Sequence, residues 1–302
     1  MTAQTPTAPA PTSRPELDVL SGSRVLRNQI VTVAVYASFA LAMIPLIWIM
    51  WSVVSSGWHL LADAGWWTHS QRNITTDKVG GGAYHAVFGT LVQALVCAVI
   101  AVPLGVFTAV YLVEYGRGRL ARLVSFMVDI LTGIPSIVAA LFIYALWVTT
   151  FGLQRVAIAV SLSLVLLMVP VVVRSTEEML KLVPNELREA SYALGVPKWK
   201  TIASIVLPTA IGGIITGIML GLARVMGETA PLLILGPYAA GINTDLFNGP
   251  MAALPTLIRD NFGQPDAAAV ERMWASALTL ILIVLLLNVT GRFVARFSGV
   301  RK

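Results

Sequence analysis

One apolar stretch of the chain carries an arginine and a glutamate four residues apart, Arg224 and Glu228. Both belong to the run I-G-G-I-I-T-G-I-M-L-G-L-A-R-V-M-G-E-T-A-P-L-L, in which Gly213, Gly217 and Gly221 recur at four-residue spacing. On one continuous helix, at about 100° per residue, these residues share a single stripe. Small residues on that stripe let another backbone approach closely or leave open space beside the two charges.

The chemistry available to this pair is the handling of an anion. A guanidinium is always charged and binds two oxygens of an oxyanion at once. An ionised side chain inside a bilayer is costly unless it faces a bundle interior or a wet pathway. We therefore predict that Arg224 lines an anion pathway and that Glu228 tunes it, by neutralising Arg224 or by pairing with a cation of another subunit. The alternative is a structural bridge between the two.

Other polar residues in the apolar stretches extend this candidate site. We place Thr229, which follows the charged pair, on the pathway together with Thr132 and Ser136. For Thr132 and Ser136 the alternative is a hydrogen bond to the backbone of their own or a neighbouring helix. For Asp129 we predict a structural role, pairing with a cation near the edge of its apolar stretch, in preference to a pathway role.

The composition is that of an integral membrane protein. Of 302 residues, 57% are hydrophobic and 12% are charged, whereas a soluble domain carries about 25% charged residues. A single cysteine, Cys97, lies in an apolar run, and we predict neither a disulfide framework nor a metal site. The sequence contains no G-x-x-x-x-G-K-[ST] stretch, so it has no phosphate-cradling loop for ATP. We predict that the chain is not an enzyme.

Six apolar stretches are long enough to cross a hydrocarbon core about 30 Å thick, which takes about 20 helical residues. Helices are required there because a backbone in lipid must satisfy its own polar groups. We predict an all-α fold with six transmembrane helices, at approximately 30–54, 87–113, 123–151, 156–173, 209–235 and 275–294. Prolines inside four of these helices are expected to kink them: Pro45, Pro103, Pro135 and Pro170.

The basic residues predict the orientation of these helices. Of the 21 lysines and arginines, 15 fall in the two tails and in the second-to-third and fourth-to-fifth loops, and five fall on the other side. By the positive-inside rule both termini are cytoplasmic. The net charge of +6 follows from these loops and does not indicate nucleic-acid binding. An interfacial belt is predicted from the tryptophans near the outer end of the first span: Trp48, Trp51, Trp58, Trp66 and Trp67.

The spans divide the chain into one membrane domain, its loops and two tails. We expect a disordered cytoplasmic tail over 1–28, a six-span domain over 29–297 and a cytoplasmic tail over 298–302. Outer loops are expected at 55–86 and 236–273. The second loop is predicted to hold a short interfacial helix, with an apolar stripe of Met251, Leu254, Leu257 and Ile258.

The polar segment 174–208 lies between two apolar runs and is predicted to be a cytoplasmic loop. Asn185 is placed to cap a short helix, and Gly195 suits the left-handed residue that follows such a helix. Pro197 suits the first residue of a second helix. The segment is therefore predicted to form two short helices joined at a glycine, a compact knob at a membrane surface.

The centre of this segment reads E-A-S-Y-A-L-G-V-P-K-W-K-T-I-A-S-I-V-L-P. Its spacing resembles the E-A-A-x-x-x-G-x9-I-x-L-P loop of ABC-transporter permease subunits, with Ser191 in place of the second alanine. The resemblance implies that Glu189, Ala190, Ser191 and Gly195 couple the chain to an ATPase on a separate chain. An ordinary loop of a polytopic protein is the alternative.

Two further stretches resemble the permeases of phosphate ABC transporters. A-R-V-M-G-E-T-A-P-L is similar to the A-R-A-x-G-E-T-A-P-L signature of the PstA family, and D-I-L-T-G-I-P-S-I is similar to D-x-L-x-G-I-P-S-I of the PstA and PstC families. The resemblance covers spans two to six. It implies a type I ABC-importer permease fold in a bacterial plasma membrane, with a multi-pass chain that forms half of a pathway for inorganic phosphate. In that family the residues matching Arg224 and Glu228 are implicated in translocation.

The resemblance also implies a set of partners and a mechanism. The partners are a second permease subunit of the PstC type, an ATPase dimer of the PstB type, and an external phosphate-binding protein of the PstS type. ATP and Mg would bind to the ATPase, this chain would carry no cofactor, and transport would proceed by alternating access. Two alternatives remain: a permease for another oxyanion, such as molybdate or sulfate, and a stand-alone secondary transporter.

Overall fold

Within residues 22–298, which a computed structural model of the chain describes, the regular secondary structure is helical. The long helices are α1 (Gly22–Leu61), α3 (Tyr84–Val110), α6 (Ala157–Lys181), α9 (Leu207–Met226) and α12 (Ala267–Ser298). The shorter ones are α2 (Ala64–Thr68), α4 (Gly118–Gly133), α5 (Ser136–Tyr144), α7 (Asn185–Ala193), α8 (Lys198–Thr201), α10 (Ala230–Leu235) and α11 (Leu254–Asn261).

Three π-helical turns extend or connect these helices. One continues α3 through Tyr111–Tyr115, one continues α5 through Ala145–Thr150, and one joins α8 to α9 through Ile202–Val206. With these extensions, five helices of the described chain are long and apolar enough to cross a membrane, and α4 with α5 adds a sixth if that bent pair counts as one span.

Several predicted boundaries differ from those of the structure. The predicted tails 1–28 and 298–302 lie mostly outside the described residues, but residues 22–28 are already helical, as the start of α1. The predicted loop 174–208 starts too early, because α6 runs on to Lys181. Its last turns are stabilised by an ion pair of 2.7 Å between Glu177 and Lys181, four residues apart.

The predicted third span is not one helix. The chain breaks at Ile134 and Pro135, and the axes of α4 and the extended α5 differ in direction by 107°. Pro135 has no backbone N–H, and it forces the residue before it out of the helical region; Ile134 is accordingly extended, with φ −71° and ψ 127°. Pro45, Pro103 and Pro170, by contrast, remain inside their helices.

The described chain divides into two units, the part before Val53 and the part from Val53 onwards. Of the first unit, the structure describes most of α1, a single apolar helix. In the second unit α6 is the central helix: 72% of its most apolar window is buried, against 28% or less for α3, α9 and α12. Helices α3, α4, α5, α9 and α10 pack against it.

The glycine stripe of α9 is a packing surface. A Cβ at Gly213 would overlap the side chain of Met179 on α6, and one at Gly217 would overlap Ser175. Gly221 faces the next turn of α6. Of the two possibilities for these glycines, close approach of a second helix or open space, the structure shows close approach.

The 249–261 segment belongs to the core. Met251, Leu254 and Leu257 are almost completely buried, and α11 packs against α12 and α3. The Thr90 hydroxyl accepts a 2.8 Å hydrogen bond from the backbone N–H of Leu254. The prediction of an interfacial helix here was wrong, because an apolar stripe has the same sequence pattern whether protein or lipid covers it.

Part of the predicted tryptophan belt is also buried in protein. Trp66 is only 1% exposed, and its Nε1 donates a 2.9 Å hydrogen bond to the Thr279 hydroxyl of α12. On the same helix, the buried guanidinium of Arg272 donates to the carbonyl oxygens of Lys78, at 2.6 Å, and Thr76, at 2.9 Å. These bonds attach the segment between α2 and α3 to α12.

Replacement of Gly89 by alanine tests the close approach of α3 and the 249–254 segment. A Cβ at Gly89 would overlap the carbonyl oxygen of Ala252, so the backbone must move. Alanine in a helix is normally more favourable than glycine by about 1 kcal/mol, but here we expect a loss of about 1–3 kcal/mol. Thermal unfolding of the purified protein in detergent measures the change.

Gly133→Ala is the matched control, because a Cβ there meets nothing within 4 Å among the described residues. We expect this control to be neutral or stabilising. A Gly89→Ala protein as stable as the Gly133→Ala protein would contradict the packing described here.

Candidate functional site

Arg224 lies on the last turn of α9 with 62% of its side chain exposed. Thr216 and Leu220, at spacings of four residues, are exposed in the same row of the helix. This row runs along one edge of the glycine contacts with α6 described above. The chain therefore presents a guanidinium on a helix face that its own described residues leave largely uncovered.

Glu228 does not continue the helix that carries Arg224, so the predicted stripe is wrong at this position. Helix α9 ends at Met226, where the Gly227 N–H donates to the Arg224 carbonyl at 3.1 Å and the Glu228 N–H donates to the Val225 carbonyl at 3.2 Å. Pro231 explains the break, because a proline clashes with the carbonyl four residues before it, here that of Gly227.

The two charges are close, but they are not hydrogen-bonded. Arg224 Nε lies 3.8 Å from Glu228 Oε1, beyond hydrogen-bond range. Glu228 is 18% exposed and Arg224 is 62% exposed. Within residues 22–298 the Arg224 guanidinium has no hydrogen-bond acceptor in range. Its donors are thus available for a bidentate oxyanion, with a carboxylate close enough to modulate the charge.

The three hydroxyl residues predicted on the pathway occupy different positions. Thr229 is half-buried at the cap position of α10. Ser136, also half-buried, is the first residue of α5, and α10 packs against α5. Thr132 is exposed, and its hydroxyl donates a 2.9 Å hydrogen bond to the Val128 carbonyl of its own helix. That geometry matches the alternative proposed for Thr132.

Asp129 forms an ion pair with Arg174 of α6. The same guanidinium donates to Glu177 Oε2 at 2.6 Å and to the Ser125 hydroxyl at 3.1 Å. The pair thus ties α4 to α6 just before the bend between α4 and α5. The sequence does not single out Arg174 among the cations near the edge of the span, because 45 positions separate it from Asp129.

The E-A-S segment, defined here as residues 182–201, has one of the two predicted short helices. Helix α7 begins at Asn185, so Pro184 occupies the cap position predicted for Asn185. Gly195 is left-handed, with φ +74°, as predicted. Pro197 precedes the next helix, α8, which continues through the π turn into α9. The second predicted helix is therefore the beginning of the fifth span.

Within the E-A-S residues themselves, exposure differs. Glu189 and Ala190 are exposed, whereas Ser191 is buried. The Ser191 hydroxyl lies 2.8 Å from the buried hydroxyl of Thr201. This hydrogen bond joins α7 to α8 and explains why serine fits where the resembling loops have alanine, since a buried hydroxyl needs a partner.

An exposed apolar patch surrounds these residues, and sequence analysis did not predict it. Leu182, Leu194 and Trp199 are among the most exposed large apolar side chains of the described chain, and Leu187 and Tyr192 are partly exposed. A cluster of this kind in an otherwise polar segment is typical of a protein–protein contact. The patch adjoins the exposed Glu189.

A buried ion pair holds α7 against the rest of the chain. Arg188, 13% exposed, donates to Glu114 Oε1 from Nη2 at 2.9 Å and from Nε at 3.1 Å. Glu114 is only 5% exposed and lies in the π turn that ends α3. The remaining donors of Arg188 reach the carbonyls of Val183 at 2.6 Å and Leu180 at 3.0 Å, which lie at the end of α6.

A second cation joins the same cluster from α8. The Lys198 ammonium group donates to the Glu114 backbone carbonyl and lies 4.7 Å from the centre of the Tyr115 ring. The ends of three long helices therefore meet at Glu114 and Arg188. The sequence offers one signal, a lone acid at the end of an apolar run, but the partner lies 74 residues away.

Residues 101–301 match the family model described as "binding-protein-dependent transport system inner membrane component". That is about two thirds of the chain. The chain belongs to this family of transport permeases. The match includes α4 to α12 and therefore contains both the Arg224 region and the E-A-S segment.

Curated relatives extend the match over nearly the whole chain. The phosphate transport system permease protein PstA 1 of Mycobacterium tuberculosis (strain H37Rv) is 55% identical over 279 residues, which are 92% of this chain and 90% of the relative. The phosphate transport system permease protein PstA of Yersinia pestis is 40% identical over 269 residues, 89% of this chain and 90% of the relative. The predicted membership of the PstA family is confirmed.

Solved structures support the fold. A bacterial alginate ABC transporter in complex with a pentasaccharide-bound periplasmic protein aligns with a TM-score of 0.63 and 14% identity, over 92% of this chain and 99% of the solved chain. An inward-facing MetNI methionine ABC transporter aligns with a TM-score of 0.56 and 21% identity, over 72% and 95%. The predicted type I ABC-importer permease fold is confirmed.

Substitutions at the Arg188–Glu114 pair should differ in their cost. Arg188→Met leaves the Glu114 carboxylate buried without its cation, and we expect a loss of about 3–5 kcal/mol. Glu114→Gln leaves Arg188 with the Leu180 and Val183 carbonyls and an amide oxygen, so we expect a smaller loss, about 1–2 kcal/mol. Denaturant unfolding in detergent measures both.

Lys181→Met is the control, because it removes the exposed end of the Glu177–Lys181 ion pair and should cost less than about 1 kcal/mol. If Arg188→Met proved no more destabilising than Lys181→Met, the buried pair would not be what holds α7 in place.

Proposed function

We propose that this chain is the membrane permease subunit of an ATP-driven importer of inorganic phosphate and forms half of its translocation pathway. The observation that carries the proposal is the Arg224 guanidinium, exposed at the end of α9 with free donors and a carboxylate 3.8 Å away. The names of the curated relatives, which are phosphate transport permeases, support phosphate as the anion.

In this proposal Arg224 binds two oxygens of phosphate at once. Glu228 neutralises Arg224 when the path is empty, and it accepts a hydrogen bond from protonated phosphate, which sulfate at neutral pH does not offer. The helix end at Gly227 favours this exchange, because Glu228 sits on a turn and not on the rigid helix. Thr229, Thr132 and Ser136 extend the polar path.

The E-A-S segment docks on an ATPase. Its support is the exposed Glu189 within a patch of exposed apolar side chains and the buried Arg188–Glu114 pair behind it. The segment and both termini are cytoplasmic, as the distribution of lysine and arginine indicates. ATP and Mg belong to the ATPase, whereas this chain holds no cofactor and hydrolyses nothing.

Transport follows alternating access. ATP-driven closure of the ATPase dimer moves α7, and the Arg188 cluster transmits this motion to the ends of α3, α6 and α8. Because α8 continues into α9, the helix that carries Arg224 moves with it. Release after hydrolysis reverses the motion. A second permease subunit forms the other half of the path, and an external binding protein delivers phosphate.

Arg224→Ala should abolish phosphate uptake and leave assembly intact. Hydrogen bonds to charged groups contribute about 1.5–3 kcal/mol each, so the loss of two such bonds to phosphate should lower uptake at least about 100-fold. Arg224→Lys should retain an intermediate rate, because a lysine keeps the charge but not the bidentate geometry. The measurement is ATP-dependent phosphate uptake by the reconstituted complex.

Arg155→Ala is the control for general loss of charge, since Arg155 is exposed in the loop between α5 and α6. Normal uptake by Arg224→Ala would refute the pathway role. Competition by sulfate or molybdate equal to that by phosphate would favour the other-oxyanion permease, and uptake without ATP would favour a secondary transporter.

A charge reversal at Glu189 should weaken docking of the ATPase. Glu189→Lys inverts an exposed charge next to the apolar patch, and we expect less ATPase to co-purify and fewer phosphate ions to be transported per ATP. Glu178→Lys, which inverts another exposed charge on α6, is the control. Unchanged co-purification and turnover for Glu189→Lys would count against docking at this site.

A further inference from the structure

Helix α4 combines a cationic end with an exposed apolar face. Arg117, Arg119 and Arg122 are all exposed at its beginning. Farther along, five large apolar side chains are exposed: Leu120, Leu123, Phe126, Met127 and Ile130. Only one side chain of α4, Val128, is buried by the rest of the described chain.

The cations and the apolar residues share one helix face. At about 100° per residue, Arg119, Arg122, Leu123, Phe126 and Ile130 fall within a stripe roughly 100° wide. The two arginines are at one end of the stripe, and Ile130 lies about 12 Å farther along the axis. The face thus changes from charged to apolar along its length.

One cavity lies on this stripe, and a second lies beside its apolar end. The first, about 460 Å³ and widely open, is lined by Arg119, Arg122, Leu123 and Phe126. The second, about 300 Å³ and lined by apolar atoms, is formed by the bend between α4 and α5. Its walls include Leu131, Ile134, Val138 and Phe142. Leu131 follows Ile130, the last residue of the stripe, and is turned about 100° from it around the helix, so the second cavity adjoins the apolar end of the stripe from one side.

The bend between α4 and α5 turns the chain by 107°, and both helices pack against α6. The face of α4 that carries the arginines and the exposed apolar side chains points away from these contacts. At a bilayer, a helix of this kind has lipid headgroups beside its cations and acyl chains beside its apolar face.

Neither arginine has a partner within the part of the chain that the structure describes. No carboxylate of residues 22–298 lies within ion-pair distance of Arg119 or Arg122. A phosphodiester suits such a pair of guanidiniums, because each can bind two phosphate oxygens. An apolar cavity one to two helical turns away suits a hydrocarbon chain. One class of molecule has both features at this spacing, an anionic phospholipid.

We propose that α4 and the bend hold one anionic phospholipid, with its phosphate on Arg119 and Arg122 and one acyl chain in the apolar cavity at Ile134. The lipid would brace the break at Pro135, which the chain itself covers poorly on this side. It lies next to the Asp129–Arg174 pair and so acts on the junction of α4 with α6. The inference does not depend on phosphate transport and stands or falls separately.

The test is the affinity of the purified, assembled complex for defined lipids, measured by native mass spectrometry and by thermal shift. Phosphatidylglycerol should be retained and should raise the melting temperature, whereas phosphatidylcholine should not. Any stabilisation by inorganic phosphate should be the same in the wild type and in the Arg119/Arg122 variant, because phosphate alone does not need these arginines. Each arginine near an anionic headgroup contributes roughly fivefold, so Arg119→Gln with Arg122→Gln should weaken phosphatidylglycerol binding roughly 30-fold. Val138→Trp, which fills the apolar cavity, should also weaken it with both arginines present.

Arg155→Gln with Arg259→Gln removes two exposed charges elsewhere and should leave binding unchanged. Equal phosphatidylglycerol binding by the wild type and the Arg119/Arg122 variant would overturn the proposal. Equal effects of phosphatidylcholine, or a stabilisation by inorganic phosphate that the Arg119/Arg122 variant loses, would overturn it too. A third result would also overturn it: the wild-type complex carries no phosphatidylglycerol, and the Arg119/Arg122 variant loses a second protein chain that the wild type retains. That result would identify the face as a protein contact.

Discussion

Charges beside apolar helices need partners, and the arrangement of this chain depends on how that need is met. A buried ion survives only if a counter-charge or several hydrogen-bond acceptors compensate its lost hydration. Arg188 meets this condition with Glu114 and two carbonyls at the end of α6, and Arg272 meets it mainly with backbone carbonyls. Arg174 meets it with Asp129 and Glu177. Each of these clusters fastens together elements that are distant in the sequence.

Arg224 forms a contrast to these satisfied arginines. Its nearest carboxylate is 3.8 Å away, and most of its side chain is exposed. A cation that is loosely paired and accessible can exchange one partner for another at little cost, whereas Arg188 would lose several contacts at once. Arginine thus has a structural role at Arg188, where it holds helix ends together, and is a candidate ligand-binding group at Arg224.

The prolines of the apolar stretches differ in their effect on the helices. Pro45, Pro103 and Pro170 remain within continuous helices, but Pro135 lies at a 107° break and Pro231 follows the end of α9. In both breaks a glycine lies within a few residues, Gly133 and Gly227, so the chain there has both a missing donor and low helix propensity. The polar residues predicted for the pathway lie on either side of these two breaks.

The sequence by itself determined which segments are helical spans, the left-handed turn at Gly195 and the motifs that carry the family resemblance. These follow from local chemistry: long apolar runs, a residue without a Cβ, and fixed spacings. The tertiary structure decided the 107° bend at Pro135, the burial of α11 and Trp66, and the role of the α9 glycines as a contact with α6. It also decided that Arg188 pairs with Glu114, 74 residues away. An apolar periodicity indicates that one face of a helix is kept from water, and a charge in an apolar stretch indicates that it needs a partner. Which protein element, lipid or ion covers that face or pairs with that charge depends on the packing of the whole chain.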